Sequence, residues 1–277
     1  MILRELMMQA QARLQDANIE NPGRDVRKLA AAALAVPAER LTLISGSPAS
    51  SDQVAQFDAY VSQRLARKPV ARILGYREFW GREFEISADV LDPRGDTETI
   101  VLEALKTPAK RLLDLGTGSG VLAVTLLAEW PDANAVASDI SNAALAIAKT
   151  NAAKHGVAAR VEFCCSDWLD KISGQFDLIV SNPPYIAESE LSVLSADVTH
   201  YDPKIALSPG KDGLVAYRAI ARDAQNHLLP SGRLIVEIGA SQGADVKKIF
   251  TQIGYQEIEI LKDLNERDRV VIAKMRE

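Results

Sequence analysis

Histidine and cysteine are scarce in this sequence of 277 residues: His155, His200 and His227 are the three histidines, and Cys164 and Cys165 the two cysteines. The histidines lie far apart and no Cys/His pair has ligand spacing, so no metal site is expected. The cysteines are adjacent in an apolar, strand-like run. Their side chains should point to opposite faces, which excludes an ordinary structural disulfide and leaves both as small packing residues. Basic residues are also in deficit, with 32 Lys and Arg against 37 Asp and Glu and a formal net charge of −5. That balance argues against a protein that grips nucleic acid mainly through a basic surface. No apolar run reaches the roughly 18 residues of a membrane span. The first residues, with Arg4 and Glu5 inside a helical pattern, lack the charged-then-apolar layout of a secretion signal, so the expected setting is cytoplasmic.

What is present is the balance of an ordinary globular protein, 47% hydrophobic and 25% charged, without repeats or low-complexity segments. Residues 1–72 read as helices alone. Leu3, Leu6, Met7, Ala10 and Leu14 fall at helical spacing, and Asn21-Pro22-Gly23 breaks the pattern. A second helix is predicted from Val26 to Leu34. A third opens with Ser50 and Gln53 in capping-box positions and carries Val54, Phe57, Val61 and Leu65 on one face. Residues 73–98 read as a linker with a short β-hairpin, signalled by the alternation Glu83-Phe84-Glu85-Ile86-Ser87. Residues 99–277 read as an α/β domain. Strands are predicted at 111–115, 134–138, 160–165, 176–180, 233–238, 255–260 and 269–273, with helices near 119–129, 141–154, 213–228 and 241–252. This is the rhythm of a doubly wound, mostly parallel, seven-stranded sheet with a Rossmann-like order. The last two strands have no helix between them and should pair antiparallel.

Three constellations carry chemistry. Leu112-Leu113-Asp114-Leu115 runs as a strand into Gly116-Thr117-Gly118-Ser119-Gly120 and then a helix. Glycines there let backbone approach a ligand, and a helix start offers unpaired N–H groups to an anion. Nucleotide-binding dehydrogenases use a related loop. Asp139, at the end of the next strand, is placed to accept hydrogen bonds from ribose hydroxyls, or else to cap the following helix. Asp167 and Trp168, after the third strand, suit an adenine amino group and ring face. Finally, Asn182-Pro183-Pro184-Tyr185 ends the fourth strand. A planar NH₂ offers two coplanar donors, and the Asn182 side-chain carbonyl with the Pro183 backbone carbonyl can supply two acceptors. The prolines stiffen the turn, and Tyr185 can stack on a flat amide or base.

Asn182-Pro183-Pro184-Tyr185 resembles the signature of amino-methyltransferases acting on adenine or glutamine, and does not by itself separate the two. With the glycine loop it resembles class I S-adenosylmethionine enzymes. The flanks Pro69-Val70-Ala71-Arg72-Ile73-Leu74-Gly75, Arg77-Glu78-Phe79-Trp80-Gly81 and Leu91-Asp92-Pro93-Arg94-Gly95-Asp96-Thr97-Glu98 are similar to those of the peptide chain release factor glutamine methyltransferases, the HemK/PrmC family. So are Asp202-Pro203-Lys204-Ile205-Ala206-Leu207 and Arg269-Val270-Val271.

The resemblance implies methylation of the glutamine side-chain nitrogen in the Gly-Gly-Gln loop of release factors by a monomeric enzyme using S-adenosylmethionine. Gly116 to Gly120, Asp139, Asp167, Trp168 and Asn182 would hold the cofactor. Asn182, Pro183, Pro184 and Tyr185 would hold the glutamine, with Asn182, Pro183 and Tyr185 at the chemistry. Residues 1–72 would contact the release factor. Gly95 stands where the family usually has proline, which would loosen that loop; Thr97 and Glu98 would lie near the site's mouth. The rivals are an adenine methyltransferase of DNA or RNA, a ribosomal-protein glutamine methyltransferase, a non-catalytic nucleotide-binding module and a dehydrogenase. The acidic charge, the Arg-Glu-Phe-Trp-Gly linker, the intact Asn-Pro-Pro-Tyr and the proline pair count against each in turn.

Overall fold

The helical periodicity at the N-terminus folds as α1 (Leu3–Asp16), α2 (Pro22–Leu34), α3 (Ser51–Leu65) and the short α4 (Val70–Leu74) in this computed structural model, which describes residues 2–275. The helix α2 starts at Pro22 rather than Val26, because proline's fixed φ and missing N–H suit a first helical turn. At α3 the Ser50 hydroxyl accepts the Gln53 N–H at 3.3 Å while Gln53 Oε1 accepts the Ser50 N–H at 3.0 Å, the reciprocal cap that the spacing predicts.

The chain then continues through β1 (Tyr76–Phe79), β2 (Arg82–Glu85), α5 (Glu98–Leu105), β3 (Arg111–Leu115), α6 (Val121–Glu129), β4 (Asn134–Asp139), α7 (Asn142–Lys154), β5 (Val161–Cys165) and β6 (Phe176–Ser181). It closes with α8 (Ala196–Thr199), α9 (Val215–Ala224), β7 (Leu228–Glu237), α10 (Gly243–Ile253), β8 (Gln256–Lys262) and β9 (Asp268–Lys274). Two units result. One runs up to Tyr76 and includes Ser195–Tyr201; the other comprises Arg77–Leu194 and the chain from Asp202 onward.

In the helical unit, Leu3, Leu6, Leu14, Leu29, Phe57 and Val61 are buried together. Beside that core lies a charged cluster. Arg64, its side chain 8% exposed, reaches Asp25 at 2.7 Å and Asp197 at 2.8 Å. The guanidinium serves the two carboxylates from two different nitrogens held in one plane, Nε and Nη1, whereas an ammonium would have to reach both from a single point.

The α/β unit has strand order β5, β4, β3, β6, β7, β9, β8, parallel as far as β7 and antiparallel for the last two strands. Its helices cover both faces. Leu122, Leu126 and Ile100 belong to one buried cluster, and Tyr217, Ile220 and Phe250 to the other. A separate hairpin of β1 and β2 buries Phe79 and Phe84 edge to face at 6.2 Å. The predicted helix to 228 ends earlier, at Ala224, followed by a tight turn Gln225–His227. Leu228 is instead the first residue of β7, buried and paired with Phe176, and a register shift follows before Arg233 pairs with Leu178. Pairing with a neighbouring strand overrides the local helical pattern there.

Gly95 opens a one-turn 3₁₀ helix, Gly95–Thr97, after Arg94 at φ −96°, ψ 148°. A Cβ at Gly95 would meet nothing within 4 Å, and the extended Arg94 is what a following proline requires. The glycine therefore meets no steric need. Gly95→Pro is expected to raise stability by about 0.4–1 kcal/mol, by restricting the unfolded chain, with an unchanged m-value in urea unfolding. Arg64→Ala should lower stability by about 2–3 kcal/mol, discounted from a fully buried pair because the Asp197 side chain is 27% exposed. The same urea titration reads both.

Candidate active site

The parallel strands reverse their order beside β3, whose neighbours are β4 on one side and β6 on the other. Chains leaving the two strands at such a switch point diverge and open a crevice. The register pairs Leu115 with Ser181, and the Ser181 hydroxyl donates to the Leu115 carbonyl at 2.7 Å. The next residues are Gly116 on one strand and Asn182 on the other, so the glycine loop and the Asn-Pro-Pro-Tyr turn leave the sheet side by side.

The glycine loop is shaped by two carboxylates. Gly116 and Gly118 have φ of 67° and 55°, left-handed values that side chains disfavour. Asp139 Oδ2 accepts the Gly118 N–H at 2.9 Å, and Oδ1 accepts the Ser141 N–H at 2.9 Å. The cap of α7 is Ser141, whose hydroxyl accepts the Ala144 N–H, so the alternative reading of Asp139 as that cap is set aside. Asp114 Oδ2 accepts the Thr117 hydroxyl at 2.6 Å and the Ala123 N–H at 3.1 Å. Its Oδ1 is buried with no hydrogen-bond partner among the described residues. Burial, with the Asp139 charge adding, outweighs those two donors and pushes the Asp114 carboxyl up to about 6.

The crevice is a cavity of about 350 Å³ whose wall includes Gly116, Thr117, Gly118, Ser119, Asp139, Asp167, Trp168, Asn182 and Pro184. Trp168 holds a positive φ of 44°, a conformation costing roughly 1–3 kcal/mol that the surroundings must offset. Its ring lies 3.8 Å from where a Cβ on Gly116 would stand. Gly120 is not on this wall. A Cβ there would come within 3.2 Å of the Ala148 methyl, so Gly120 lets α6 approach α7.

Two further segments singled out in the sequence also contribute to the wall. Leu91, Pro93 and Thr97 line it together with Ile205 and Ala206. They are fastened by Asp202, whose carboxylate takes the Arg94 guanidinium at 2.6 Å and the Asp92 N–H at 3.3 Å. Glu98 is elsewhere: its carboxylate accepts the Trp80 N–H at 2.9 Å and holds the hairpin turn.

Asn182 reaches into a buried chain of polar groups. Its Nδ2 donates to Thr97 Oγ1 at 3.0 Å, and the Thr97 hydroxyl donates to Glu237 Oε2 at 2.6 Å. The Tyr185 hydroxyl donates to Glu237 Oε1 at 3.4 Å, and Tyr185 and Pro183 lie off the cavity wall. Burial, more than the Glu237 charge, raises the Tyr185 hydroxyl above its ordinary range, so it stays a donor. The turn itself is braced from outside: Gln242 Nε2 donates to the Tyr185 carbonyl at 2.9 Å, and the Ile186 N–H to the Leu207 carbonyl at 3.0 Å.

Glu237 is 1% exposed. Burial, opposed by the Thr97 hydrogen bond and the Arg269 charge, pushes its carboxyl from 4.5 to about 7. The folded protein therefore binds a proton more tightly than the unfolded chain. That advantage is complete below the unfolded value and disappears as pH rises through about 7, a loss of roughly 3 kcal/mol. Sequence reasoning did not single out Glu237 or Asp114. Their signal was available: each is a lone acid beside an apolar run, Leu112-Leu113 for Asp114 and Leu234-Ile235-Val236 for Glu237.

Residues 86–210 match the methyltransferase small domain, and residues 5–75 the PrmC N-terminal domain. A methyltransferase structure from Pyrococcus furiosus shares the fold, with a TM-score of 0.54, 17% identity, and coverage of 78% of this chain and 96% of that one. The release factor glutamine methyltransferase of Cereibacter sphaeroides is 49% identical, over 95% of each sequence. That of Agrobacterium fabrum is 41% identical, over 96% of this chain and 94% of its own. With such identity sustained across both units, the chain belongs to the release factor glutamine methyltransferase family.

Proposed function

We propose that this protein transfers a methyl group from S-adenosylmethionine to the side-chain amide nitrogen of the glutamine in the Gly-Gly-Gln motif of peptide chain release factors. The observation that carries the chemistry is Asn182 on the cavity wall with its Nδ2 committed to Thr97. That leaves the side-chain carbonyl as an acceptor for a planar NH₂. The relatives of that name direct it to release factors.

The cavity suits the cofactor in its donors and acceptors. Asp114 Oδ1, buried and unpartnered among the described residues, would accept from the ammonium of the methionine part. Asp139 keeps spare lone pairs beside its two backbone donors and would accept from the ribose hydroxyls. Gly116, Thr117, Gly118 and Ser119 would lie along the chain of the cofactor, Asp167 by the adenine amino group and Trp168 against its ring. Once bound, the cofactor supplies a sulfonium-borne methyl as electrophile. The protein's part is to hold the amide in the direction of attack and to face positive charge developing on its nitrogen with oxygen acceptors, Asn182 Oδ1 and the Pro183 carbonyl. Pro184 and Tyr185 would keep those acceptors in place.

The helical unit would contact the body of the release factor, consistent with its match to the PrmC N-terminal domain over residues 5–75. The protein would act as a cytoplasmic monomer, and without binding nucleic acid, the last of these supported by its net charge of −5. Among the described residues no helix is long and apolar enough to cross a membrane.

Incubation with labelled S-adenosylmethionine and, separately, release factor, release factor with its loop glutamine replaced, and adenine-containing DNA is expected to label the intact factor alone. Label in DNA, or in the glutamine-replaced factor, would refute the proposal. Asn182→Ala should lower turnover by about 10²-fold or more, as when an orienting hydrogen-bond partner is lost. Its affinity for the cofactor by calorimetry should stay within about twofold of the parent. Equal turnover by mutant and parent would remove Asn182 from its assigned role.

A further inference from the structure

A buried carboxylate is costly unless its surroundings satisfy it. Glu237 is 1% exposed, yet among the described residues its carboxylate accepts one short side-chain hydrogen bond, from Thr97 at 2.6 Å, and a long one from Tyr185 at 3.4 Å. Neighbouring charges do not neutralise it fully. The basic group whose charge acts on it is Arg269 on β9, but that guanidinium bonds Asp263 and the Ile238 carbonyl and lies 3.4 Å from Asp96. From α9, the Tyr217 hydroxyl donates to the backbone carbonyl of Glu237, not to its carboxylate, at 3.0 Å. An acid kept in such a place, next to a cavity, calls for a use.

The hydrogen-bond chain supplies one. A carboxylate only accepts, and a threonine hydroxyl carries one proton. With that proton donated to Glu237 Oε2, Thr97 Oγ1 can offer Asn182 only lone pairs. Asn182 must then turn its Nδ2 toward Thr97, at 3.0 Å, and its Oδ1 away. We propose that Glu237, acting through Thr97, is the positioning group that fixes which end of the Asn182 carboxamide meets the substrate. This rests on the proposed reaction and deepens it, for neither residue touches the reacting atoms. If Glu237 gains a proton it can donate to Thr97, whose own proton then swings toward Asn182 and accommodates the reversed amide. The reversed amide presents NH₂ to the substrate's NH₂, two donors facing each other. The ionised form is the productive one, and the position of the carboxyl, raised to about 7 by its burial, puts the switch near neutrality.

The test uses the full chain with release factor and labelled S-adenosylmethionine, both saturating, so that groups acting only on binding drop out of kcat. The parent's kcat should fall severalfold from about pH 8 to about pH 6, and Glu237→Gln should have a lower kcat without that acid limb. Thr97→Val should lower kcat about tenfold or more with cofactor affinity by calorimetry within about twofold, while Thr97→Ser recovers to within about threefold of the parent. An acid limb that persists in Glu237→Gln overturns the proposal. So does parental kcat, or lost cofactor binding, in Thr97→Val. Failure of the parent to label release factor at any pH would overturn the reaction itself, and with it this inference.

Discussion

Three carboxylates at or next to the carboxyl ends of parallel strands, Asp114 and Glu237 buried and Asp139 half-buried, have to be satisfied by fixed donors, and the crevice is built around that constraint. Asp114 on β3 takes the Thr117 hydroxyl and the Ala123 N–H; Asp139 on β4 takes the N–H groups of Gly118 and Ser141; Glu237 on β7 takes the hydroxyls of Thr97 and Tyr185. Each donor belongs to a segment that must be shaped for binding: the glycine loop, the start of a helix, the turn before α5, the turn after β6. The acids thus act as fixed points that irregular backbone is drawn to, and part of their desolvation cost is offset by the hydrogen bonds that impose the shape.

The strands and helices were largely legible because they depend on periodicity, which is local. Leu112-Leu113 and Leu178 to Val180 sit in the middle of the sheet, where continuous apolar runs are the rule for strands buried on both faces. Ser50 and Gln53 cap α3 through a contact only three residues long. Leu228 differs for the opposite reason: Pro230 and Gly232 announce that a helix ends nearby, but the place of Leu228 in β7 comes from its pairing with Phe176, 52 residues away in sequence. The glycine loop, Asp139, Trp168 and Asn182 were legible as a group because the α/β rhythm places strand ends on one edge, so a motif at each end must converge.

What the sequence concealed were the long-range polar contacts. Thr97 and Glu237 are 140 positions apart, and Arg94 and Asp202 are 108. Pairing of this kind follows from the order of strands and from the path of the loops, and neither is written in a window of neighbouring residues. Tyr185 shows contacts that its motif does not announce. Its place beside the prolines suggests a ring laid over a flat ligand; its hydroxyl is in addition directed to Glu237 and its carbonyl to Gln242.

Rigidity of the Asn-Pro-Pro-Tyr turn therefore has two separate origins. The prolines restrict φ and deny the turn a helical continuation, but a restricted backbone leaves the side chain of Asn182 free to rotate and its amide free to reverse. A carboxamide has nearly the same shape in both senses, so packing distinguishes them poorly. Only a partner that is donor or acceptor, and not both, can choose. A threonine hydroxyl alone is both. Joined to an acceptor-only carboxylate it becomes, toward Asn182, an acceptor alone, and the ambiguity of the amide is removed by a group that lies one residue further from the cavity. Discrimination between a glutamine amide and an adenine amino group has no such local answer, since both offer the same planar NH₂; that selection has to come from surfaces beyond the turn.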